Sequence, residues 1–432
     1  MMKRRSHRVY LLAAALIFIM SSLTACVPGG GAAMPENTPA QTKGPDTGNK
    51  PMAFKSVDSL KPEVYESLSG FSVDLFRRMN AEDISSNIFL SPLSVWLALG
   101  MTYNGASGGT AEGMAQALHV TDLPIGDLNS DNAGLMGILR AADPNVQIAI
   151  VNSIWVRDSF ASAVNEDFLS ANKKHYDAAI EALDFSKDDA AGIISDWVED
   201  NTNGNIKDMI EPPIDPLTVM FLINAVHFKA PWKQAFDPKD SRDGVFATSD
   251  GEEVQVKYLF RKEGNFGYMD DTVTAVRLPY SNGRLEMVAV LPQRQALGEY
   301  IEELTPEKLA EIITKCGETS LALLFPKFKL EYEAELNDVL KAMGMAEAFD
   351  PVSADFSALS EQFGTELYIS KVRHKSFIEV NEEGTEASAA TSVEINRESA
   401  PMRMEFNKPF LFLIRDSKTG AILFIGTVAD PS

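Results

Sequence analysis

Few residue combinations in this chain could do chemistry. Its histidines are His7, His119, His175, His227 and His374. None sits in an HExxH helix and no P-loop occurs, so zinc-peptidase and nucleotide chemistry lack their usual frameworks. Two cysteines, Cys26 and Cys316, make neither a disulfide framework nor a zinc site by themselves. Cys316 reads as a lone, structurally neutral thiol. One catalytic pattern is present. Gly105-Ala106-Ser107-Gly108-Gly109 fits G-x-S-x-G, the elbow that lifts a nucleophilic serine above an α/β sheet. That elbow needs a strand before the serine, whereas Ser94 to Tyr103 is patterned as a helix. A serine hydrolase is therefore a distant third reading. No metal and no cofactor is expected.

A different kind of chemistry is carried by Glu382 to Phe410. The stretch opens Glu382-Glu383-Gly384-Thr385-Glu386-Ala387-Ser388-Ala389-Ala390-Thr391, mostly small side chains that suit a segment able to bend. Ala387, Ala389, Thr391, Val393 and Ile395 alternate with Glu386, Ser388, Ala390, Ser392, Glu394 and Asn396. This is the period-two signature of a half-buried strand. Its flanks, a glycine hinge and Ser399-Ala400-Pro401, suit an exposed loop instead. The residues alone support two readings: a plain edge strand, or a loop in one state that is a strand in another.

The elements that would position such a segment are legible in the patterning. Leu68, Phe71, Leu75, Phe76 and Met79 make an apolar stripe at helical spacing, and Ser91 to Tyr103 and Ala190 to Asn201 also read as helices. Val146, Ile148 and Ile150 alternate as in a strand. Thr274 to Pro292 reads as a hairpin turning at Asn282-Gly283, and Phe410 to Val428 as two strands joined by residues 416–420. Early helices and later, largely antiparallel strands give an α+β class. The 432 residues are 45% hydrophobic and 23% charged, enough for a large core. A net charge of −22 makes nucleic acid an unsuitable partner, because phosphate binding needs a basic face.

Several ordered motifs resemble the serpin family. Val380-Asn381-Glu382-Glu383-Gly384-Thr385-Glu386-Ala387 is similar to its hinge, and Met404 to Ile414 to its C-terminal signature. Asn87-Ile88-Phe89-Leu90-Ser91-Pro92-Leu93-Ser94 resembles the approach to its second helix. Asp196-Trp197-Val198 with Asn201 to Ile206 resembles the end of its sixth, and Ile223 to Lys229 with Trp232 a central strand and the breach beyond it. The similarity covers the chain from about residue 55 to 432.

The resemblance implies a serpin fold: three β-sheets, eight or nine helices and an exposed reactive loop. It implies a suicide inhibitor, expected as a monomer. A serine protease attacks the loop and forms its acyl-enzyme ester; the cleaved loop inserts into the central sheet and traps that covalent complex. The hinge would be residues 382–391. Ser91, Ser94, Asn224 and His374 match the family's shutter, and Trp232, Lys327 and Glu382 its breach. The reactive bond falls at Glu398–Ser399, fourteen residues beyond Gly384, with Arg397–Glu398 as the alternative. At ~3.3 Å per residue, fourteen residues span about 46 Å, the length of a large sheet. Ala230 and Pro231 depart from the family's usual glycine after Phe-Lys. Asp122, Asp127 and Asp131 stand where some members carry a basic helix, so no heparin binding is expected. The runner-up is a non-inhibitory serpin acting as a binding or carrier protein; the small hinge residues favour inhibition.

The first residues read as an address. Lys3, Arg4, Arg5 and Arg8 precede an apolar run from Tyr10 to Met20, and Leu23-Thr24-Ala25-Cys26 resembles the bacterial lipobox. Residues 1–25 are thus expected to be a signal peptide, with Cys26 lipidated. Residues 26–54, with five prolines in 27–52, are a flexible tether and residues 55–432 the domain. Losing four basic and no acidic residues takes the charge from −22 to −26. The protein should lie outside the cytoplasm, facing outward or into a periplasm, held to a bacterial membrane by its lipid. Cys26→Ser should leave the precursor uncleaved or release protein from the membrane fraction. Fatty-acid labelling independent of that cysteine would refute lipidation there.

Overall fold

The hairpin read at Asn282-Gly283 forms the middle of a buried sheet. In the computed structural model, which describes residues 56–204, 206–385 and 403–432, strands Val273–Pro279 and Leu285–Pro292 pair antiparallel, and Gly283 turns at φ +88°. Every residue of Leu285–Pro292 is buried, so it reads as a continuous apolar run rather than an alternation. It is flanked by Phe410–Asp416, which pairs in turn with Ile422–Val428, in a seven-stranded sheet. A second sheet of four strands ends at Arg403–Glu405.

The helices that cover these sheets bury their apolar faces. Helix α1 (Pro62–Glu82) starts with proline in its first turn and buries Leu68, Phe71, Leu75, Phe76 and Met79. Helix α2 (Pro92–Tyr103) is apolar almost all round and lies inside the molecule. Its N-cap is Ser91, whose Oγ accepts from the Ser94 N–H at 3.3 Å. Helix α3 (Gly108–Ala117) has Ser107 as N-cap. The G-x-S-x-G match therefore joins two helices, and no strand delivers its serine. Helices α4 (Ile125–Arg140), α5 (Glu166–Tyr176) and α6 (Ala190–Asn201) come next along the chain.

The third sheet, the central one, has six strands. They are β1 (Gln147–Arg157), β2 (Ala179–Leu183), β3 (Met220–Pro231), β4 (Phe328–Glu335), β5 (Arg373–Val380) and β6 (Gly384–Thr385). Their spatial order is β4-β5-β6-β3-β1-β2. Strand β6 is only two residues long, yet it pairs antiparallel with both neighbours: Thr385 faces Val380 on β5 and Ala230 on β3. Among the described residues β3 and β5 share no ladder with each other, and β6 alone bridges them. Residues 386–402 lie outside the described residues.

Candidate functional site

The gap between β3 and β5 is built from segments far apart in the sequence. At its mouth, Trp232 continues from β3 and stacks on Tyr280, ring centroids 4.5 Å apart. The Trp232 Nε1–H donates to the Asn381 carbonyl at 2.9 Å, its backbone N–H to the Glu383 carbonyl at 2.8 Å, and the Phe236 N–H to the Glu382 carbonyl at 2.8 Å. Asn381 Oδ1 accepts from the Glu383 and Gly384 N–H groups at 3.0 and 3.3 Å and folds the chain back toward the sheet. These bonds deliver Gly384 so close to β3 that a Cβ there would collide with the Ala230 carbonyl oxygen and meet the Pro231 Cα at 2.7 Å. Only glycine fits. Thr385 comes next with 2% of its surface exposed, its Oγ1 2.8 Å from the Tyr280 hydroxyl.

An ion pair stands beside this mouth. Lys327 Nζ lies 2.8 Å from Glu382 Oε2, and the Ser241 hydroxyl donates to Oε1 at 2.7 Å. Burial pushes the Glu382 carboxyl up, but the hydrogen bonds from Lys327 and Ser241 outweigh it and hold the group below its ordinary range. Ala230 and Pro231, where the chain departs from the serpin pattern, extend β3 to this point and pair with Thr385 and Gly384.

Halfway along the gap a second cluster is buried. His374 Nε2 accepts from the Ser91 N–H at 3.1 Å, so the imidazole carries its proton on Nδ1. Ser91 Oγ donates to the Leu423 carbonyl at 2.8 Å, and Ser94 Oγ to the Asn224 carbonyl at 3.3 Å. Asn224 Nδ2 donates to Asn152 Oδ1 at 2.7 Å, and Asn152 Nδ2 to the Tyr176 carbonyl at 2.6 Å. Asn224 Oδ1 is buried with no hydrogen-bond partner among the described residues. Ser91, Ser94, Asn224 and His374, singled out in the sequence, thus meet here, and Trp232, Lys327 and Glu382 meet at the mouth.

Sequence reasoning missed Tyr280, Asn152 and the structural part of Asn381. Tyr280 directly follows an ordinary hairpin strand and Asn152 lies within another strand; neither carries a local signal. Asn381 stood inside the quoted hinge motif and could have been found from its side-chain type, which favours turns. Of the remaining site expectations, Glu386, Ala387, Ser388, Ala389, Ala390, Thr391, Arg397, Glu398, Ser399 and Cys26 lie outside the described residues. Cys316 is buried, and burial pushes its thiol up to about 11, away from nucleophilic use.

The chain matches the family model described as serpin (serine protease inhibitor) over residues 66–431. It is 34% identical to human neuroserpin over 380 residues, 85% of this chain and 91% of that one. It is 32% identical over 440 residues to an uncharacterized serpin-like protein of Thermococcus kodakarensis, 98% of each. Among solved structures it is similar to the thermophilic serpin Tengpin in its native state, at 34% identity and a TM-score of 0.77, covering 88% of this chain and 97% of that one.

The buried histidine gives the site a pH dependence. Burial pushes His374 down to about 4, so its folded-state value lies below the unfolded one. The unfolded chain then binds the extra proton first, and stability is lost as pH falls from about 6.5 toward about 4, by at most on the order of 3 kcal/mol. His227, also pushed down to about 4, first by burial and then by Lys229, acts in the same window. Thermal unfolding across this range should show a falling Tm, and His374→Gln should remove part of the fall. An identical fall in that variant would assign it wholly to other groups.

Proposed function

The chain belongs to the serpin family, and we propose that it is an inhibitory member, a suicide substrate that traps serine proteases by inserting its cleaved loop between β3 and β5. The observation that carries this reading is the position of Gly384 and Thr385, already laddered between those strands. Both pairings are antiparallel, so each step forward along the loop moves one step back along each neighbour. Six residues beyond Thr385 is Thr391, and six residues before Ala230 and Val380 stand Asn224 and His374. In the inserted state Thr391, on the same face as buried Thr385, would meet the one end of the shutter where an acceptor, Asn224 Oδ1, is left over. The period-two pattern of the loop matches this register: small apolar or hydroxyl side chains turn inward and Glu386, Ser388, Ala390 and Ser392 outward.

Magnitudes favour the mechanism. A strand of a dozen residues laddered on both sides makes about two backbone hydrogen bonds per residue, one through each N–H and one through each C=O. At roughly 1 kcal/mol net each this is on the order of 20 kcal/mol. That exceeds the whole stability margin of an ordinary domain, about 5–15 kcal/mol. A loop held out of the sheet is then a store of free energy released by one cleavage. The protein supplies no catalytic group; the ester belongs to the protease, and insertion outruns its hydrolysis. We further place the protein outside the cytoplasm, tethered through Cys26; among the described residues no helix is long and apolar enough to cross a membrane.

Thr385→Arg tests the mechanism. A guanidinium in a position 2% exposed would be buried beside Tyr280 at a cost of several kcal/mol. The variant should still be cut by the target protease but yield no complex stable on a denaturing gel, and cleaved wild-type protein should melt well above the intact form. A variant that traps as well as wild type would falsify insertion-driven inhibition. A non-inhibitory carrier would show neither trapping nor the rise in melting temperature.

The family's spacing from hinge glycine to reactive bond supports cleavage at Glu398–Ser399, fourteen residues beyond Gly384. Mass spectrometry of the released C-terminal fragment should find it starting at Ser399, which fits a protease that accepts glutamate. A start at Glu398 would move the bond to Arg397–Glu398 and indicate a trypsin-like target. A start before Val393 would leave too short a strand and overturn both assignments.

A further inference from the structure

A cleft of about 500 Å³ opens where β1 ends, beside the chain that leads into β3. Phe185, Ile214 and Pro216 give it apolar walls. Arg157 and Lys187 line it with one carboxylate, Asp188, so its lining is net positive in a chain of charge −22. Arg157 is held firmly. Its Nε–H donates to the Thr218 carbonyl at 2.8 Å, an Nη2–H donates to the Asp215 carbonyl at 3.2 Å, and the guanidinium lies 5.1 Å from the Phe185 ring centroid. Both acceptors are neutral, so the guanidinium charge stays available to a negative partner. The neighbouring Asp184 carboxylate is turned into its own loop, where Oδ1 accepts from the Ser186 N–H and hydroxyl at 3.0 and 2.6 Å.

The ladder that starts at β6 would lead an inserted strand to this cleft. Thr385 pairs with Ala230; Glu398 stands thirteen residues beyond the first and Leu217 thirteen before the second. Pairing between β1 and β3 continues toward that level, since the Arg157 N–H donates to the Val219 carbonyl at 2.9 Å. A glutamate opposite Leu217, one strand spacing or about 4.8 Å away, would lie beside the carbonyls of residues 215 and 218 that hold the guanidinium. The face agrees as well. An odd number of steps turns Glu398 away from the side on which Thr385 is buried. That other side is the α6 face. Trp155, two residues before Arg157, packs there with Ile194 and Val198 of α6, and so do Ile223 and Ala225, odd-numbered like Leu217. We infer that the Arg157 cleft receives the Glu398 side chain once the loop is in the sheet. While the protease holds the reactive bond, that carboxylate sits in its primary pocket; at the foot of the gap it meets a competing partner. Residue 398 is thereby read twice, once by the protease and once by the inhibitor. This role rests on the insertion reading of the gap.

The test offers the full chain two synthetic peptides, residues 386–398 as they stand and with Glu398→Gln. Both are amidated at the C-terminus, so that one side chain is the only difference between them. Incorporation is followed on native gels and by the rise in melting temperature. Wild type should bind the glutamate peptide about fivefold more tightly than the glutamine peptide, as one partly shielded charge pair allows, and added salt should shrink the preference. Arg157→Gln should bind the two peptides alike. Should that variant fold poorly, the preference of wild type and its salt dependence still report. Equal binding of the two peptides by wild type would overturn the role of the cleft while leaving insertion standing. A preference that survives in folded Arg157→Gln would assign the carboxylate to another group and overturn it too. Failure of wild type to take up either peptide would overturn the insertion reading and this inference with it.

Discussion

The fit of Gly384 against β3 is the constraint on which the rest of the molecule depends. A side chain there would collide with the backbone of Ala230 and Pro231. With none, the chain turns from β5 into the sheet at once, and Thr385 is sealed under the Tyr280 hydroxyl. The stacked Trp232 and Tyr280 rings, the three bonds from the Trp232 region to the carbonyls of residues 381–383, and the Lys327–Glu382 pair all converge on this turn. They hold two flanking strands apart by the width of one strand at the mouth. On the proposed mechanism this strand-wide opening at one end of the sheet would act as a nucleus, from which insertion would extend ladders already started at Gly384 and Thr385.

Polar groups along the gap are costly unless paired, since an unpaired buried group loses about 1–3 kcal/mol. Among the described residues that cost falls on Asn224 Oδ1, while the rest of the cluster is satisfied through Ser91, Ser94, Asn152 and His374. Leu or Val at these positions would pack the flanks of the sheet more simply. On the proposed mechanism the polar groups would give the gap a register, because an incoming strand would gain most when its own hydroxyl met Asn224 Oδ1, which has no partner among the described residues. Such an arrangement would favour one inserted state over strands slipped by a residue.

Much of this was legible in the residues. Helical spacing located α1, α2 and α6, and the turn chemistry of Asn282-Gly283 located the hairpin, because both signals are local. The G-x-S-x-G match was discounted on the helix that precedes it, and the structure places Ser107 at the start of another helix. Motif resemblance brought Lys327, Glu382, His374 and Asn224 forward, although they lie far apart in sequence. The partners that stayed hidden were those defined by long-range pairing alone. Tyr280 meets Thr385 across 105 positions and Asn152 meets Asn224 across 72, and no periodicity along the chain marks either. The Arg373–Glu211 pair was hidden for the same reason: Glu211 sits in a loop of prolines and acids, and its pairing with Arg373 spans 162 positions.

Strand β5 ties these features together, because its two faces have different roles. Its even-numbered residues, His374, Ser376, Ile378 and Val380, are buried on the α2 side, where the Ser376 hydroxyl donates to the Phe89 carbonyl. On the other face its odd-numbered Arg373 donates to the Glu211 carboxylate and Lys375 to the Asp208 carbonyl. A slip of one residue would bury Lys375 where His374 accepts from Ser91 and turn the imidazole to the opposite face of the sheet. Burying an unpaired ammonium costs several kcal/mol, more than the slip could regain elsewhere. The register of β5 is thereby locked by its own charges. Since β5 is one wall of the gap and β6 its direct continuation, that lock carries over to any strand laid against it. The alternation of one eight-residue strand thus sets which face Thr385 turns to the core and which side of the sheet binds Glu211 and the Asp208 carbonyl.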